Sequence, residues 1–353
     1  MKINLFAPKL IDWYQHQRRN LPWRHTRDPY FIWLSEVILQ QTRVAQGLPY
    51  YQQFTEAYPT VFDLAAAPEQ EIMRLWQGLG YYSRARNLSQ TAQFIVKEQN
   101  GQFPDSYHKL LKLKGIGPYT AAAIASFAYD EAVAVVDGNV YRVLARVFGL
   151  ATDITSTEGK KQFAQLANEL LDVSQPATYN QAIMEFGALQ CTPVSPDCLL
   201  CPFQASCVAN ATGQIAKLPV KTKKTKVRER FFNYFVITKN QEIALKQRTE
   251  RDIWQQLYDF CLVETPKKAT SLDDLELDET LQLLLQTGQI TAPARSYLHI
   301  LTHQHIQAQF WQITLSPDNT IALPEGLAWY SPAELEALPK PVLIASYCQQ
   351  MLK

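Results

Sequence analysis

Four of the chain's six cysteines fall within one short stretch, Cys191-x6-Cys198-x2-Cys201-x5-Cys207. Thiolates at this spacing can close a tetrahedral zinc site or hold a 4Fe–4S cluster. A zinc ribbon presents two Cys-x2-Cys knuckles and this loop has one, which favours iron–sulfur while leaving zinc open. Cys261 and Cys348 are remote in sequence. The pattern is therefore not a disulfide framework and points to a reduced compartment.

Two carboxylates offer a second kind of chemistry. Glu36 lies in Trp33-Leu-Ser-Glu-Val-Ile-Leu-Gln-Gln-Thr42. A mostly apolar helix there would bury it, raise its pKa and make it a general acid. Asp137 lies in Val135-Val-Asp-Gly-Asn-Val140, just ahead of a predicted helix whose positive end would keep it ionised. Either one alone reads as an ordinary residue, a solvated glutamate or a helix cap. As a pair, one carboxyl held protonated and one held ionised suits cleavage of a glycosidic bond. Between them runs Leu113-Lys-Gly-Ile-Gly-Pro-Tyr-Thr-Ala121. Gly115 and Gly117 allow a tight turn, and Pro118 suits the first position of an Ala-rich helix. Backbone N–H groups at such a helix start can hold one phosphate, although a plain corner between two helices would look the same.

Helices must position these groups. Apolar residues recur at spacings of three and four in 31–43, 69–77, 84–98, 120–129, 140–148 and 159–171. After Cys207 the pattern changes. A polar, basic connector at 218–229 leads into strand-like runs at 231–238, 243–246 and 305–315, with helices expected over 272–286 and 342–352. The chain divides into an all-α module (1–217), a linker (218–229) and an α+β module (230–353). The 353 residues are 47% hydrophobic and 19% charged, enough apolar material for real cores. Net charge is only +1, which shows no global footprint for nucleic acid. The sum hides a net of +5 over 218–230 and −5 over 231–353. No signal peptide is evident and no apolar run approaches the ~18 residues of a membrane span, so a cytoplasmic protein with no membrane partner is expected.

Taken together, the motifs resemble the helix-hairpin-helix DNA glycosylase superfamily and, within it, the MutY-type adenine DNA glycosylases. The resemblance is carried, in order along residues 10–210, by Leu21-Pro-Trp-Arg24, Ser35 to Thr42, Gly78-Leu-Gly-Tyr-Tyr-Ser-Arg-Ala-Arg-Asn-Leu88, the Gly-Ile-Gly hairpin, Asp137-Gly-Asn-Val140, Asn180-Gln-Ala182 and the four cysteines. It implies a helix-hairpin-helix (about 109–130) and an iron–sulfur loop (191–207) in a helical catalytic domain, followed by a Nudix-like domain that reads 8-oxoguanine. Glu36 would protonate adenine, Asp137 would stabilise the oxocarbenium-like sugar, and Asn139 and Tyr119 would support the two carboxylates. Arg24 and Gln181 would lie near the extruded base. Gln41, Thr42, Leu79 and Tyr81 would fill or wedge the stack, and Gly115 and Gly117 would grip the DNA backbone. Cys191, Cys198, Cys201 and Cys207 would hold the 4Fe–4S cluster.

The implied partner is double-stranded DNA with adenine opposite 8-oxoguanine or guanine, bound by a monomer whose activity is nucleoid-associated. Phosphate contacts are also expected from Arg84, Arg86 and the 221–230 strip. Endonuclease III-like enzymes carry a lysine nucleophile where Tyr119 stands, so a monofunctional glycosylase is expected rather than a glycosylase/lyase. The carboxylate pair argues against a non-catalytic DNA-binding module. No Glu-x7-Arg-Glu box follows residue 230, which argues against a nucleotide pyrophosphatase. Thr302 and His303, in Leu301-Thr-His, resemble the family's Phe-Ser-His loop at 8-oxoguanine, with the aromatic residue lost. His299, His303 and His305 could alternatively share one strand face as a metal site.

Overall fold

Phe6, Leu10, Ile11 and Tyr14 are buried along one face of helix Phe6–Gln17, the spacing of an amphipathic helix docked on a core. The computed structural model describes residues 3–222, 226–291, 293 and 296–351. Lys223 to Thr225 of the basic strip, and Leu352 at the expected end of the last helix, lie outside the described residues. The chain forms two units, 1–66 with 87–224, and 67–86 with 225–353.

The first unit is helical. Helix Phe6–Gln17 packs with Gly138–Phe148 and Pro176–Leu189 around Val143, Leu144, Phe163 and Phe186. Phe203, from the cysteine loop, enters this core and stacks on Phe6 with ring centroids 4.9 Å apart. Helix Pro29–Leu39 ends four residues before the expected 43, because Gln41 turns into the left-handed region at φ +56. The hairpin is built by helices Tyr107–Leu110 and Pro118–Tyr129. Its turn needs a glycine at Gly115, where φ is +75. Thr91 anchors the turn by donating to the Lys114 carbonyl at 2.7 Å.

The second unit holds a mixed sheet. Strand Arg228–Lys239 runs parallel to Gln304–Thr314, from Arg228 opposite Gln304 to Thr238 opposite Thr314, and antiparallel to Cys261–Thr265. Phe232 to Ile237 are buried in one continuous run that includes the polar Asn233, as expected of a strand covered on both faces. Phe235, Ile237, Trp311 and Ile313 pack with Leu281 and Leu284 of helix Glu279–Thr287. On the opposite face Tyr234 stacks on Phe310, and Phe310 stacks on Tyr347 of helix Val342–Met351 at 3.8 Å.

The expected helix over 272–286 is only half formed. Ser271 and Asp274 close a capping box around a 3-10 turn, Leu272–Asp274, and Asp278 then caps a fresh start by accepting from the Leu281 N–H at 2.8 Å. Residues 67–86 join this unit through named contacts. Arg74 donates to the Glu336 carbonyl at 3.1 Å, Gln77 accepts from the Lys340 N–H at 3.0 Å and Arg86 donates to the Gln255 carbonyl at 2.8 Å. A division at the linker, as read from sequence, leaves this segment with the other unit. Among the described residues no helix is long and apolar enough to cross a membrane.

Candidate active site

Glu36 sits in a helix that hides eight of its eleven residues, Tyr30 and Ile32 to Ile38, and is itself only 6% exposed. Asp28 starts that helix by accepting from the Tyr30 N–H at 2.8 Å. Burial raises the Glu36 pKa to about 7, with the charge of Asp137 adding to it and Tyr119 and Arg24 opposing it. Tyr119, second residue of the Ala-rich helix, donates to the Met184 sulfur at 3.4 Å. Burial beside Glu36 and Asp137 keeps its phenol protonated.

Asp137 is the N-cap of helix Gly138–Phe148. Its Oδ1 accepts from the Asn139 and Val140 N–H groups at 2.8 Å each, and its Oδ2 from Asn139 Nδ2 at 2.7 Å. Burial outweighs these donors and raises its pKa above the usual carboxylate value. Asn180 pins the segment leading in, giving its amide to the Val133 carbonyl and accepting from the Val135 N–H. A glycine is required at Gly187, where a Cβ would stand 2.6 Å from that of Asn139. Arg142 then ties Asn139 to the cysteine loop, reaching Asn139 Oδ1 at 2.8 Å and the Cys191 carbonyl at 2.7 Å.

Glu36, Asp137, Asn139, Tyr119, Arg24, Gln181, Gln41 and Thr42 all line one cavity of about 750 Å³. That space admits a purine nucleoside. No lysine lines it. Sequence reasoning passed over Glu185, which is 1% exposed and clamps two guanidiniums. Arg19 bonds it through Nε (2.9 Å) and Nη2 (2.6 Å), Arg24 through Nη1 (3.0 Å) and Nη2 (2.7 Å). Burial pushes the Glu185 pKa up, but these bonds prevail and hold it at about 2. The available signal was its place four residues after Gln181, on the same face of helix Pro176–Leu189.

Leu79, Tyr81, Thr302 and His303 do not line this cavity; they belong to the second unit. Arg84 Nη2 donates to the Leu79 and Gly80 carbonyls at 3.2 and 3.1 Å, and its guanidinium lies over the Trp76 ring. Arg84 is 7% exposed and shapes this turn, which corrects its expected phosphate role; Arg86 donates one N–H to the Gln255 carbonyl. Tyr81 shares a 2.9 Å hydrogen bond with Thr302, at the exposed tip between strands Tyr297–Ile300 and Gln304–Thr314. The His303 carbonyl accepts from the Arg228 N–H at 3.0 Å. His299 and His305 lie on two different strands, with His299 against Trp254, which corrects the one-strand reading.

Cys191, Cys198, Cys201 and Cys207 all line a second cavity. Among the described residues, no three His, Cys, Asp or Glu are close enough to hold a metal ion. The donors are all sulfur, with N–H groups turned on them from Arg146 (3.6 Å to Cys191 Sγ) and Phe203 (3.4 Å to Cys201 Sγ). An all-sulfur donor set has the chemistry of a zinc or iron–sulfur site, although the described cysteines do not stand in the geometry of either.

A helical unit whose Glu36 and Asp137 line one large cavity, joined to a mixed-sheet unit, defines a helix-hairpin-helix glycosylase with a Nudix-like domain. Residues 34–170 match the HhH-GPD superfamily of base excision DNA repair proteins, and residues 233–350 match the NUDIX domain. The adenine DNA glycosylase of Buchnera aphidicola subsp. Schizaphis graminum is 35% identical over 76% of this chain and 78% of its own length. That of Mus musculus is 43% identical over 62% of this chain but only 44% of its own. A thermostable thymine-DNA glycosylase superposes with a TM-score of 0.56 at 29% identity, covering 60% of this chain and 97% of that one. The chain belongs to the adenine DNA glycosylase family, enzymes of base excision repair that cleave N-glycosyl bonds.

Proposed function

We propose that this enzyme excises adenine paired with 8-oxoguanine or guanine and leaves the DNA strand intact. The observation that carries the reading is that Glu36 and Asp137 line one cavity, with Tyr119 between them and no lysine among the described lining residues. The target base must leave the stack, because the glycosidic bond is out of reach within it. Protonated Glu36 gives its proton to the adenine ring, and the electrons of the breaking N–C1′ bond go to the departing base. Asp137 faces the oxocarbenium-like sugar, held by Asn139 and the helix start, until water adds to C1′ and gives up a proton that restores the Glu36 carboxyl. Tyr119 cannot form a Schiff base and no described lining residue carries an amine, so an abasic site is the expected product.

Gln41 and Thr42 at the cavity, and Leu79 and Tyr81 in the second unit, fill the gap beside the opposite base; Thr302 and His303 read 8-oxoguanine. Gly115 and Gly117 set the duplex by its backbone. Nothing lies within 4 Å of where a Cβ on Gly117 would stand, which leaves room for a phosphate. Cys191, Cys198, Cys201 and Cys207 hold a 4Fe–4S cluster, which braces the loop carrying the Cys191 carbonyl and takes no part in bond cleavage.

Single-turnover assays on duplexes with adenine opposite 8-oxoguanine, guanine, cytosine and thymine, each developed with and without alkali, test this reading. Cleavage of the first two, visible only after alkali, is expected. A borohydride-trapped adduct in stoichiometric yield would overturn the monofunctional assignment.

A further inference from the structure

One layer outside the cavity, the Tyr14 hydroxyl donates to Gln181 Oε1 at 2.6 Å. Tyr14 is 2% exposed and does not line the cavity, whereas Gln181 does. A carboxamide has two orientations that fill the same space, and its neighbours must choose between them. Here the choice comes from two cations. The Arg18 and Arg24 guanidiniums lie 5.7 and 5.6 Å from the Tyr14 ring centroid. Neither can accept a hydrogen bond, and their positive charge draws the phenol oxygen toward them and turns its proton away. The single phenol proton must then go to an acceptor, which at Gln181 is the carbonyl oxygen and never the amide nitrogen.

We propose that Tyr14 is a positioning residue that sets base selectivity by fixing the Gln181 amide in one orientation. The inference rests on the reading of this cavity as the adenine site. A carboxamide is a bidentate match for adenine, its oxygen taking the N6 amino hydrogen and its NH2 the N7 lone pair. Oε1 has two lone pairs and can serve Tyr14 and the base at once. The inverted amide sets its NH2 against the N6 amino group and its oxygen against N7, repulsive at both contacts. Selectivity at Gln181 therefore originates in a residue that does not touch the base.

The test is Tyr14→Phe, which keeps the ring beneath Arg18 and Arg24 and removes only the hydroxyl. The single-turnover rate on adenine opposite 8-oxoguanine is expected to fall about three- to tenfold, the scale of one hydrogen bond. In a Gln181→Ala background the same substitution is expected to cost less than about twofold, because its target is gone. Equal losses in both backgrounds assign the hydroxyl to packing and overturn the proposal, as does a wild-type rate for Tyr14→Phe. Arg18→Met, a change on an exposed side chain, guards against misfolding of the first variant. It is expected to narrow the preference for adenine over purine lacking the amino group, and an unchanged preference counts against the proposal. Glu36→Gln is run alongside. If it is active, the reading of the cavity fails; if it is inactive while Tyr14→Phe is neutral, only the role of Tyr14 fails.

Discussion

Glu36 shows what burial does to a carboxyl: it raises the pKa and costs stability once the group ionises. Its carboxyl is 6% exposed and its pKa lies at about 7, against 4.5 in an open chain. A general acid must be protonated to act, so single-turnover excision is expected to decline as pH rises through about 7. The raised pKa of Asp137 gives the opposite limb, since that carboxyl must be ionised and the rate falls toward acid. A rate–pH profile measured on both sides of neutrality checks the bell shape. Glu36→Gln is expected to lose on the order of 10²- to 10⁴-fold in rate. The same raised pKa means that the folded state binds the proton more tightly than the unfolded one. Its contribution is present in full below the unfolded value of 4.5 and is lost as pH rises through about 7, for a total on the order of 3 kcal/mol. Glu36→Gln, neutral at every pH, should therefore melt above the wild type at about pH 8, with the gap closing toward about pH 5. A melting difference independent of pH would show that the carboxyl is not held in this way.

At the scale of elements, the cavity depends on how closely helix Pro176–Leu189 approaches the start of Gly138–Phe148. Gly187 permits that approach, and a methyl group there meets Asn139 at 2.6 Å. Gly187→Ala is expected to displace Asn139 and with it Asp137, lowering the excision rate at least tenfold while DNA affinity is largely kept. Parallel binding and single-turnover measurements separate the two, and a normal rate would deny the helix contact this role. Much of this was legible in the sequence. Glu36 and Asp137 announce themselves through Ser35 to Thr42 and Asp137-Gly-Asn, and the four cysteines through their spacing. Glu185 did not, because a glutamate on a helix looks solvated until the chain brings Arg19 and Arg24 to it. Arg84 misled in the opposite direction. Its charge suggests phosphate, yet it is spent on two carbonyls and a tryptophan face within its own turn. The 272–286 stretch has helical spacing throughout, but Asp274 and Asp278 each cap a separate start.

At the scale of the whole molecule, a net charge of +1 leaves little general attraction for DNA, so affinity must come from local contacts. Lys221 and Lys226, both exposed in the basic connector, are candidates for such contacts. Lys221→Gln with Lys226→Gln should weaken binding to matched and mispaired duplexes alike and reduce the salt slope by about one for each phosphate no longer neutralised. A slope equal to wild type would remove them from the interface. Thr302→Ala and His303→Ala belong to a different account. They are expected to narrow the preference for 8-oxoguanine over guanine in paired single-turnover assays while leaving the rate on the guanine mispair nearly intact. An unchanged preference would remove the 8-oxoguanine role from these two residues. The allocation of residues 67–86 to the second unit has a consequence for biosynthesis. This segment leaves the ribosome early, yet Gln255, Thr302, Glu336 and Lys340, which fasten it, are made last. The turn carrying Leu79 and Tyr81 thus acquires its fastenings only when nearly the whole chain has been made.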